Sequence, residues 1–126
     1  MNDVDFTGLK ILIVEDEYLI ADDMCRMLRA RGAAVVGPVS NLGDAMALAH
    51  AQPLDLAILD INLDGDMVYE AAAELQRLQV PVVFVTGQED WLLPTMFKDV
   101  PHLEKPVVYR ELFAAIKRLT AAAQQA

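Results

Sequence analysis

Short apolar segments alternate with amphipathic ones along this 126-residue chain, and the alternation limits the folds open to it. Lys10–Val14 is a nearly unbroken apolar run, which is typical of a strand covered on both faces. The predicted strands are Lys10–Val14, Ala34–Val39, Leu54–Leu59, Val82–Val85 and His102–Glu104. The predicted helices are Tyr18–Arg31, one from the Asn41 cap through Ala51, Tyr69–Gln79, and Tyr109 to about Ala123.

Polar residues, Gly and Pro mark the segments between these elements. Gly32 follows the first helix, where a residue that tolerates positive φ is favoured. Asn62–Asp66 is predicted to be a solvated turn, with Asp66 as the cap of the helix that follows. Pro94 and Pro101 leave room for only a short or irregular helix before the last strand.

Strands that alternate with helices predict an α/β domain. Its core is a doubly wound, five-stranded parallel sheet with right-handed crossovers and helices on both faces. Binding sites in such sheets lie beyond the carboxyl ends of the strands, near the reversal in strand order. We expect a single domain over residues 1–126, with a core from about 8 to 120 and an Ala/Gln tail at 121–126.

Charge and composition exclude several classes of function. Nineteen Asp and Glu against ten Lys and Arg give a net charge of −9. Binding to nucleic acid or to an anionic membrane requires a basic face, so the charge argues against both as the main partner. No apolar run approaches the ~20 residues that span a bilayer, and the acidic start lacks a signal-peptide pattern. The lone Cys25 excludes an intramolecular disulfide. These features predict a small acidic cytoplasmic domain.

Residues able to take part in phosphoryl chemistry follow four of the predicted strands. Glu15 and Asp16 follow the first strand, Asp60 the third, Thr86 the fourth and Lys105 the fifth. Three converging carboxylates favour a hard divalent cation such as Mg²⁺, and without it they repel one another. A carboxylate beside such an ion, with a hydroxyl and an ammonium nearby, can attack a phosphorus centre.

Each of these residues taken alone has an ordinary structural explanation. Acids after a strand are common turn and cap residues, and Glu17 fits the first turn of a helix through the helix dipole. Thr86 alone is a typical strand-end residue, and Lys105 alone a solvated charge. The joint pattern at four strand ends favours a functional site over coincidence.

Four short motifs resemble the receiver domain of two-component response regulators. They are Val14-Glu15-Asp16, Leu59-Asp60-Ile61-Asn62, Val85-Thr86-Gly87 and Lys105-Pro106. The match is collinear from about Lys10 to Leu119. The resemblance implies a flavodoxin-like fold. It also implies that Asp60 accepts a phosphoryl group from a histidine kinase or a histidine phosphotransfer protein.

The same resemblance implies roles for the neighbouring residues. The implied Mg²⁺ ligands are Glu15 (mostly through water), Asp16, Asp60 and the Asn62 backbone carbonyl. Thr86 and Lys105 are expected to hold phosphoryl oxygens, and the bond between Lys105 and Pro106 is expected to be cis. The family usually carries an aromatic switch residue that is coupled to Thr86; here His102 stands at that position. We interpret His102 as an ordinary exposed strand residue rather than as a switch residue whose planar imidazole replaces the aromatic ring.

A narrower resemblance is to the FAT GUY receivers, which often stand alone and work with HWE-type histidine kinases. It rests on Phe84-Val85-Thr86-Gly87, Leu93-Pro94, Phe97 and the ending from Val100 to Pro106. The aromatic residue usual after Thr-Gly is replaced by Gln88-Glu89.

The leading hypothesis is a phosphorylation-operated switch that catalyses only its own phosphorylation and dephosphorylation. No output segment follows the last helix, which favours signalling by changed protein contacts or action as a phosphoryl sink. Ala114 and Ala115 could allow close packing of helices in a homodimer, or they could be present only because alanine is a good helix former. The sequence favours neither explanation. The alternatives are a Mg²⁺-dependent phosphoryl-transfer enzyme of the Toprim or haloacid-dehalogenase type, and a receiver that only docks. Asp60-Ile61-Asn62 lacks the second Asp of the Toprim pattern, and the dehalogenase nucleophile follows the first strand.

Overall fold

The chain folds as strands and helices that alternate in the predicted order. The computed structural model describes residues 4–63, 65–87 and 94–125. The strands are β1 (Lys10–Val14), β2 (Ala34–Val39), β3 (Leu56–Asp60), β4 (Asn62–Leu63), β5 (Asp66–Met67), β6 (Val82–Thr86) and β7 (His102–Glu104). The helices are α1 (Tyr18–Arg29), α2 (Leu42–Ala51), α3 (Tyr69–Arg77) and α4 (Tyr109–Gln125), with a 3₁₀ turn at Thr95–Phe97. Among these residues no helix is long and apolar enough to cross a bilayer.

Five of the strands form a parallel sheet in the order β2-β1-β3-β6-β7. This arrangement confirms the predicted doubly wound α/β fold. The strand order reverses between β1 and β3, because the connection from β1 leads to one side of the sheet and the connection from β3 to the other. A crevice at the carboxyl ends of β1 and β3 is therefore where a site is expected.

The core is divided by the sheet into two apolar layers, since successive residues of a strand point to opposite faces. Leu12 and Val14 of β1 pack into the layer that includes residues of α2 and α3. Ile11 and Ile13 pack into the other layer with residues of α1 and α4. All four side chains are fully buried. Burial on both faces explains why the central strands read as continuous apolar runs rather than alternating ones.

The segment after β3 differs from the prediction. It is a two-stranded antiparallel hairpin, in which Asn62 pairs with Met67 and Leu63 with Asp66, rather than a solvated turn. The prediction that Asp66 caps a helix is wrong: Asp66 belongs to β5, and the cap position of α3 is Val68. Within this hairpin the Asn62 Oδ1 atom accepts a 2.7 Å hydrogen bond from the backbone N–H of Gly65, which stabilises the turn.

The remaining differences concern element ends. Helices α1 and α3 stop at Arg29 and Arg77, two residues before their predicted ends. Strand β3 begins at Leu56 rather than Leu54, and α4 continues to Gln125, through most of the segment predicted to be an Ala/Gln tail. Gly32 has the predicted positive φ, at +95°. Among the described residues of 87–101 the one helical segment is the 3₁₀ turn at Thr95–Phe97, in keeping with the short helix expected there. Residues 88–93 lie outside the described residues.

Asn41→Ala is expected to lower the free energy of unfolding by about 1 kcal/mol. The Asn41 Oδ1 atom accepts a 2.8 Å hydrogen bond from the backbone N–H of Asp44, and alanine leaves that donor without its cap. Urea unfolding followed by circular dichroism measures the loss. The neighbouring exposed Ser40→Ala is the control, and equal losses in both variants contradict the capping role.

Candidate functional site

Sheet register brings the predicted acidic residues to one edge. Strands β1 and β3 pair so that Val14 lies opposite Leu59. Glu15 and Asp60 are the next residues along these neighbouring strands, and Asp16 follows Glu15 directly. Three carboxylates therefore leave the sheet at the reversal in strand order.

The β6–β7 pair brings the predicted hydroxyl and ammonium to the same edge. Thr86 pairs with Glu104, and the backbone N–H of Lys105 donates a 2.9 Å hydrogen bond to the carbonyl oxygen of Thr86. The peptide bond between Lys105 and Pro106 is cis. The Thr86 side chain is buried, and its hydroxyl donates a 2.9 Å hydrogen bond to the carbonyl oxygen of Gly87.

Lys105 joins the acidic residues by three ion pairs. Its Nζ atom lies 3.1 Å from Asp60 Oδ2 and 3.2 Å from Glu15 Oε2. A third carboxylate, that of Glu17, lies 2.5 Å from the same ammonium. Glu15 and Asp60 are each only 3% exposed, so Lys105 partly compensates two carboxylates that have been removed from water.

The two buried carboxyl groups are too close for both to ionise readily. Burial, and then the adjacent Asp60 carboxyl, raise the pKa of Glu15 to about 8. Burial also raises the pKa of Asp60, although hydrogen bonds from Glu15 and Lys105 oppose that rise. The contact between the two carboxyl groups raises the pKa of Glu15 and opposes the rise at Asp60, so ionising both groups together is unfavourable.

Opposing effects act on the Lys105 ammonium. Burial alone lowers its pKa, but hydrogen bonds to Glu17 and Asp60 and the attraction of the Glu15 and Asp60 charges outweigh it, so the pKa is raised overall. The Lys105 side chain therefore keeps its positive charge, and its ammonium group lies beside Asp60 at the carboxyl end of β3.

The acidic cluster has the composition of a site for a hard cation. One carboxylate oxygen from each of Glu15, Asp16, Glu17 and Asp60 lies within 4.8 Å of the others. The Glu15 Oε1 atom is buried and has no hydrogen-bond partner. A buried oxygen without a partner, among acids that repel one another, fits a divalent cation bound through oxygen ligands.

Sequence reasoning missed Glu17 as a member of this cluster. The helix-dipole explanation is incomplete, because Glu17 is the cap residue of α1 and its side chain turns back to Lys105 rather than capping the helix. Its backbone N–H also donates a 3.0 Å hydrogen bond to Glu15 Oε2. The only sequence signal was a third consecutive acid after β1, which many helix starts share.

Two other predicted site residues have simpler surroundings. The backbone N–H of Asn62 donates a 3.2 Å hydrogen bond to Asp60 Oδ1, so Asn62 helps to orient the carboxyl group. His102 begins β7 opposite Phe84, and its side chain is exposed. His102 lies along a surface groove with Lys105, Pro106 and Glu111, and it does not belong to the acidic cluster itself.

Comparison with known proteins identifies the family. Residues 11–117 match the response regulator receiver domain. This chain belongs to that family. The receiver is 34% identical to SdrG from Sphingomonas melonis Fr1, with a TM-score of 0.79 over 94% of this chain and 98% of SdrG.

A second structure shares the name SdrG and is described as the BeF3-activated conformation, from Pseudomonas melonis Fr1. It is 33% identical to the receiver, with a TM-score of 0.75, and the match covers 91% of this chain and 98% of that one. The transcriptional regulatory protein PdtaR of Mycobacterium tuberculosis is 31% identical over 112 residues, which is 86% of this chain and 55% of PdtaR. The receiver thus spans about half the length of the curated relatives that it matches.

Proposed function

We propose that this receiver is a switch operated by phosphorylation of Asp60 in two-component signalling. The observation that carries the proposal is the Asp60 carboxyl group, buried at the carboxyl end of β3 and held 3.1 Å from the Lys105 ammonium within a cluster of four acids. Family membership and the structural similarity to a protein described in a BeF3-activated conformation support it.

In the proposed reaction a carboxylate oxygen of Asp60 forms a bond to phosphorus. The bond from phosphorus to the imidazole nitrogen of the donor histidine breaks, and its electron pair remains on that nitrogen. Lys105 is proposed to offset negative charge on the phosphoryl oxygens. Thr86 is proposed to donate a hydrogen bond to one of them in exchange for its present hydrogen bond to the Gly87 carbonyl oxygen. The hydrogen bond from Asn62 keeps the Asp60 carboxyl group oriented during the attack.

Glu15, Asp16, Asp60 and the backbone carbonyl of Asn62 are the proposed ligands of Mg²⁺. The partnerless oxygen of Glu15 is the feature that supports this set. When bound, the ion offsets the charge of the acids and of the transferring phosphoryl group. The protein's own part is to supply carboxylate oxygens of Glu15, Asp16 and Asp60, which already lie within 4.8 Å of one another.

The proposed partners are a histidine kinase, of the HWE class if the FAT GUY resemblance holds, or a histidine phosphotransfer protein. We place the whole of residues 1–126 in one cytoplasmic receiver domain that signals through protein contacts or acts as a phosphoryl sink. The receiver is proposed to have no enzymatic activity beyond its own phosphorylation and dephosphorylation.

The Toprim and dehalogenase alternatives lose their support, because the family match assigns the chain to the receiver domains.

Incubation with acetyl phosphate tests the proposal without a cognate kinase. In the presence of Mg²⁺, intact-mass measurement is expected to show a single phosphoryl adduct that hydroxylamine removes, and EDTA is expected to prevent it. The absence of any adduct, together with no binding of beryllofluoride, contradicts the switch and favours a receiver that only docks.

His102→Ala is expected to leave the rate of phosphorylation by acetyl phosphate within about twofold of wild type. The His102 side chain is exposed and lies outside the acidic cluster, so its removal alters none of the contacts around Asp60. Time-resolved intact-mass measurement compares the two proteins. A loss of tenfold or more contradicts our interpretation of His102 as a plain strand residue.

A further inference from the structure

Positive charge is concentrated in two segments of this acidic chain. Six of the ten Lys and Arg residues lie in two stretches, three within 26–31 and three within 110–118. Glu111 is the one carboxylate in these stretches. The end of α1 and the helix α4 therefore carry a net positive charge, although Arg26 is ion-paired with Asp22 and Asp23. The rest of the chain is strongly negative.

A groove of about 580 Å³ lies within this basic region, between the end of α1 and α4. Its apolar lining comes from Val4, Met27, Tyr109, Phe113 and Ala114, and its cations are Arg31, Arg110 and Lys117. Arg110, Ala114 and Lys117 are exposed. The α4 residues that line the groove run from 109 to 117, which is about 12 Å of helix.

The floor of the groove is held in place by aromatic and charged contacts. The Arg31 guanidinium lies 4.5 Å from the centre of the Phe113 ring, and it donates a 3.2 Å hydrogen bond to the carbonyl oxygen of Met27. The Phe6 ring packs edge-on against Phe113, with the ring centres 5.6 Å apart. The Tyr109 hydroxyl donates a 2.7 Å hydrogen bond to Asp23, which ties α4 to α1. A preformed floor lowers the entropic cost of binding.

We propose that this groove binds an acidic amphipathic helix of a partner protein. Two turns of such a helix match the length of the groove, with apolar anchors at i and i+4 resting on Phe113 and Ala114. Its carboxylates pair with Arg110 and Lys117 at the exposed edge. Complementary charge at the edge steers the encounter, while the apolar contacts supply most of the affinity.

The charge pattern favours this occupant over two others. Nucleic acid requires a continuous basic surface, and the net charge of −9 repels a polyphosphate that extends beyond the groove. A second copy of the chain carries the same −9 charge, which opposes self-association. A short acidic helix is small enough to remain within the basic region.

A labelled peptide of about 15 residues tests the groove, since a helix of that length is marginally stable in water. The peptide has Leu and Phe on one helical face and Glu on the other, and its control has Lys at every Glu position. The receiver without phosphoryl donor is titrated into each peptide while fluorescence anisotropy is recorded. Saturable binding of the acidic peptide alone is the expected result.

Two groove variants and one matched control locate the site. R110E/K117E is expected to weaken binding about tenfold or more. A114E places a carboxylate on the exposed floor and is expected to do the same without unfolding α4. R77E/K98E makes the same change in net charge at exposed residues outside the groove and is expected to change affinity by less than about twofold. Thermal melting verifies that each variant is folded.

Four results overturn the proposal. They are the absence of saturable binding, equal binding of the Lys peptide, an equal loss in R77E/K98E, and binding of a mixed-sequence DNA duplex as tight as that of the acidic peptide. Sedimentation can give a fifth such result, in which the wild type is a dimer and R110E/K117E is a monomer. In that case the occupant of the groove is a second copy of the chain and not an acidic helix. No phosphoryl donor is present, so these results do not depend on phosphorylation of Asp60.

Discussion

Asp60→Asn is expected to abolish the phosphoryl adduct that acetyl phosphate and Mg²⁺ produce on the wild-type receiver. An amide of the same shape has no anionic oxygen to attack phosphorus, so a nucleophilic role predicts complete loss rather than slowing. Intact-mass measurement under identical conditions compares the two proteins. Unfolding is not expected to cause the loss, because asparagine has the same shape as Asp60 and its removal of one carboxyl group relieves the rise in the pKa of the buried Glu15.

Two matched variants make the Asp60→Asn result specific. Asp99→Asn alters an exposed residue outside the cluster and is expected to keep the adduct in full. Asp16→Asn removes a proposed Mg²⁺ ligand and is expected to keep the acceptor while raising the Mg²⁺ concentration that the reaction needs. Melting temperatures measure whether each variant is folded. An undiminished adduct on Asp60→Asn contradicts the assignment of the acceptor.

Glu15→Gln is expected to have opposite effects with and without Mg²⁺. In EDTA the variant is expected to be more stable than wild type by about 1–3 kcal/mol. Glutamine removes a buried carboxyl group whose ionisation is opposed by burial and by the neighbouring Asp60. Saturating Mg²⁺ at about 100 times its Kd stabilises the wild type by about 2.7 kcal/mol. Glu15→Gln is expected to lose most of that gain, since it loses the carboxylate whose second oxygen has no partner within the protein. Thermal unfolding across a MgCl₂ titration measures both effects.

Glu104→Gln is the control for the Glu15 variant. Glu104 is exposed at the end of β7 and is not part of the acidic cluster, so its Mg²⁺ response is expected to match that of wild type. If Glu15→Gln melts below wild type in EDTA and responds to Mg²⁺ like wild type, Glu15 is a structural acid and the proposed ligand set is wrong.

The sequence was sufficient to predict the sheet and the position of the site. Lys10–Val14 forms β1 with its predicted bounds, because strands buried on both faces leave a continuous apolar run. In a parallel sheet the residues after such runs share one edge, which is why Glu15 and Asp60 could be placed together from spacing alone. Both inferences depend on the spacing of apolar residues and on the order of strands and helices, which can be read from the sequence.

Sequence was not sufficient where the outcome depends on side-chain reach or on a few local bonds. The ion pair between Glu17 and Lys105 joins residues 88 positions apart, and it exists because both side chains extend over the same strand ends. The hairpin after β3 contains a hydrogen bond from the backbone N–H of Gly65 to the Asn62 side chain. Neither contact has a periodic pattern that distinguishes it from an ordinary helix start or turn.

The central claim, that Asp60 is the phosphoryl acceptor, is tested most directly by locating the modified residue. Borohydride reduces an aspartyl phosphate to homoserine, and peptide sequencing by tandem mass spectrometry then identifies the position. After treatment with acetyl phosphate and Mg²⁺, homoserine is expected at position 60. Homoserine at position 16, the other aspartate of the cluster, or at no position contradicts the account.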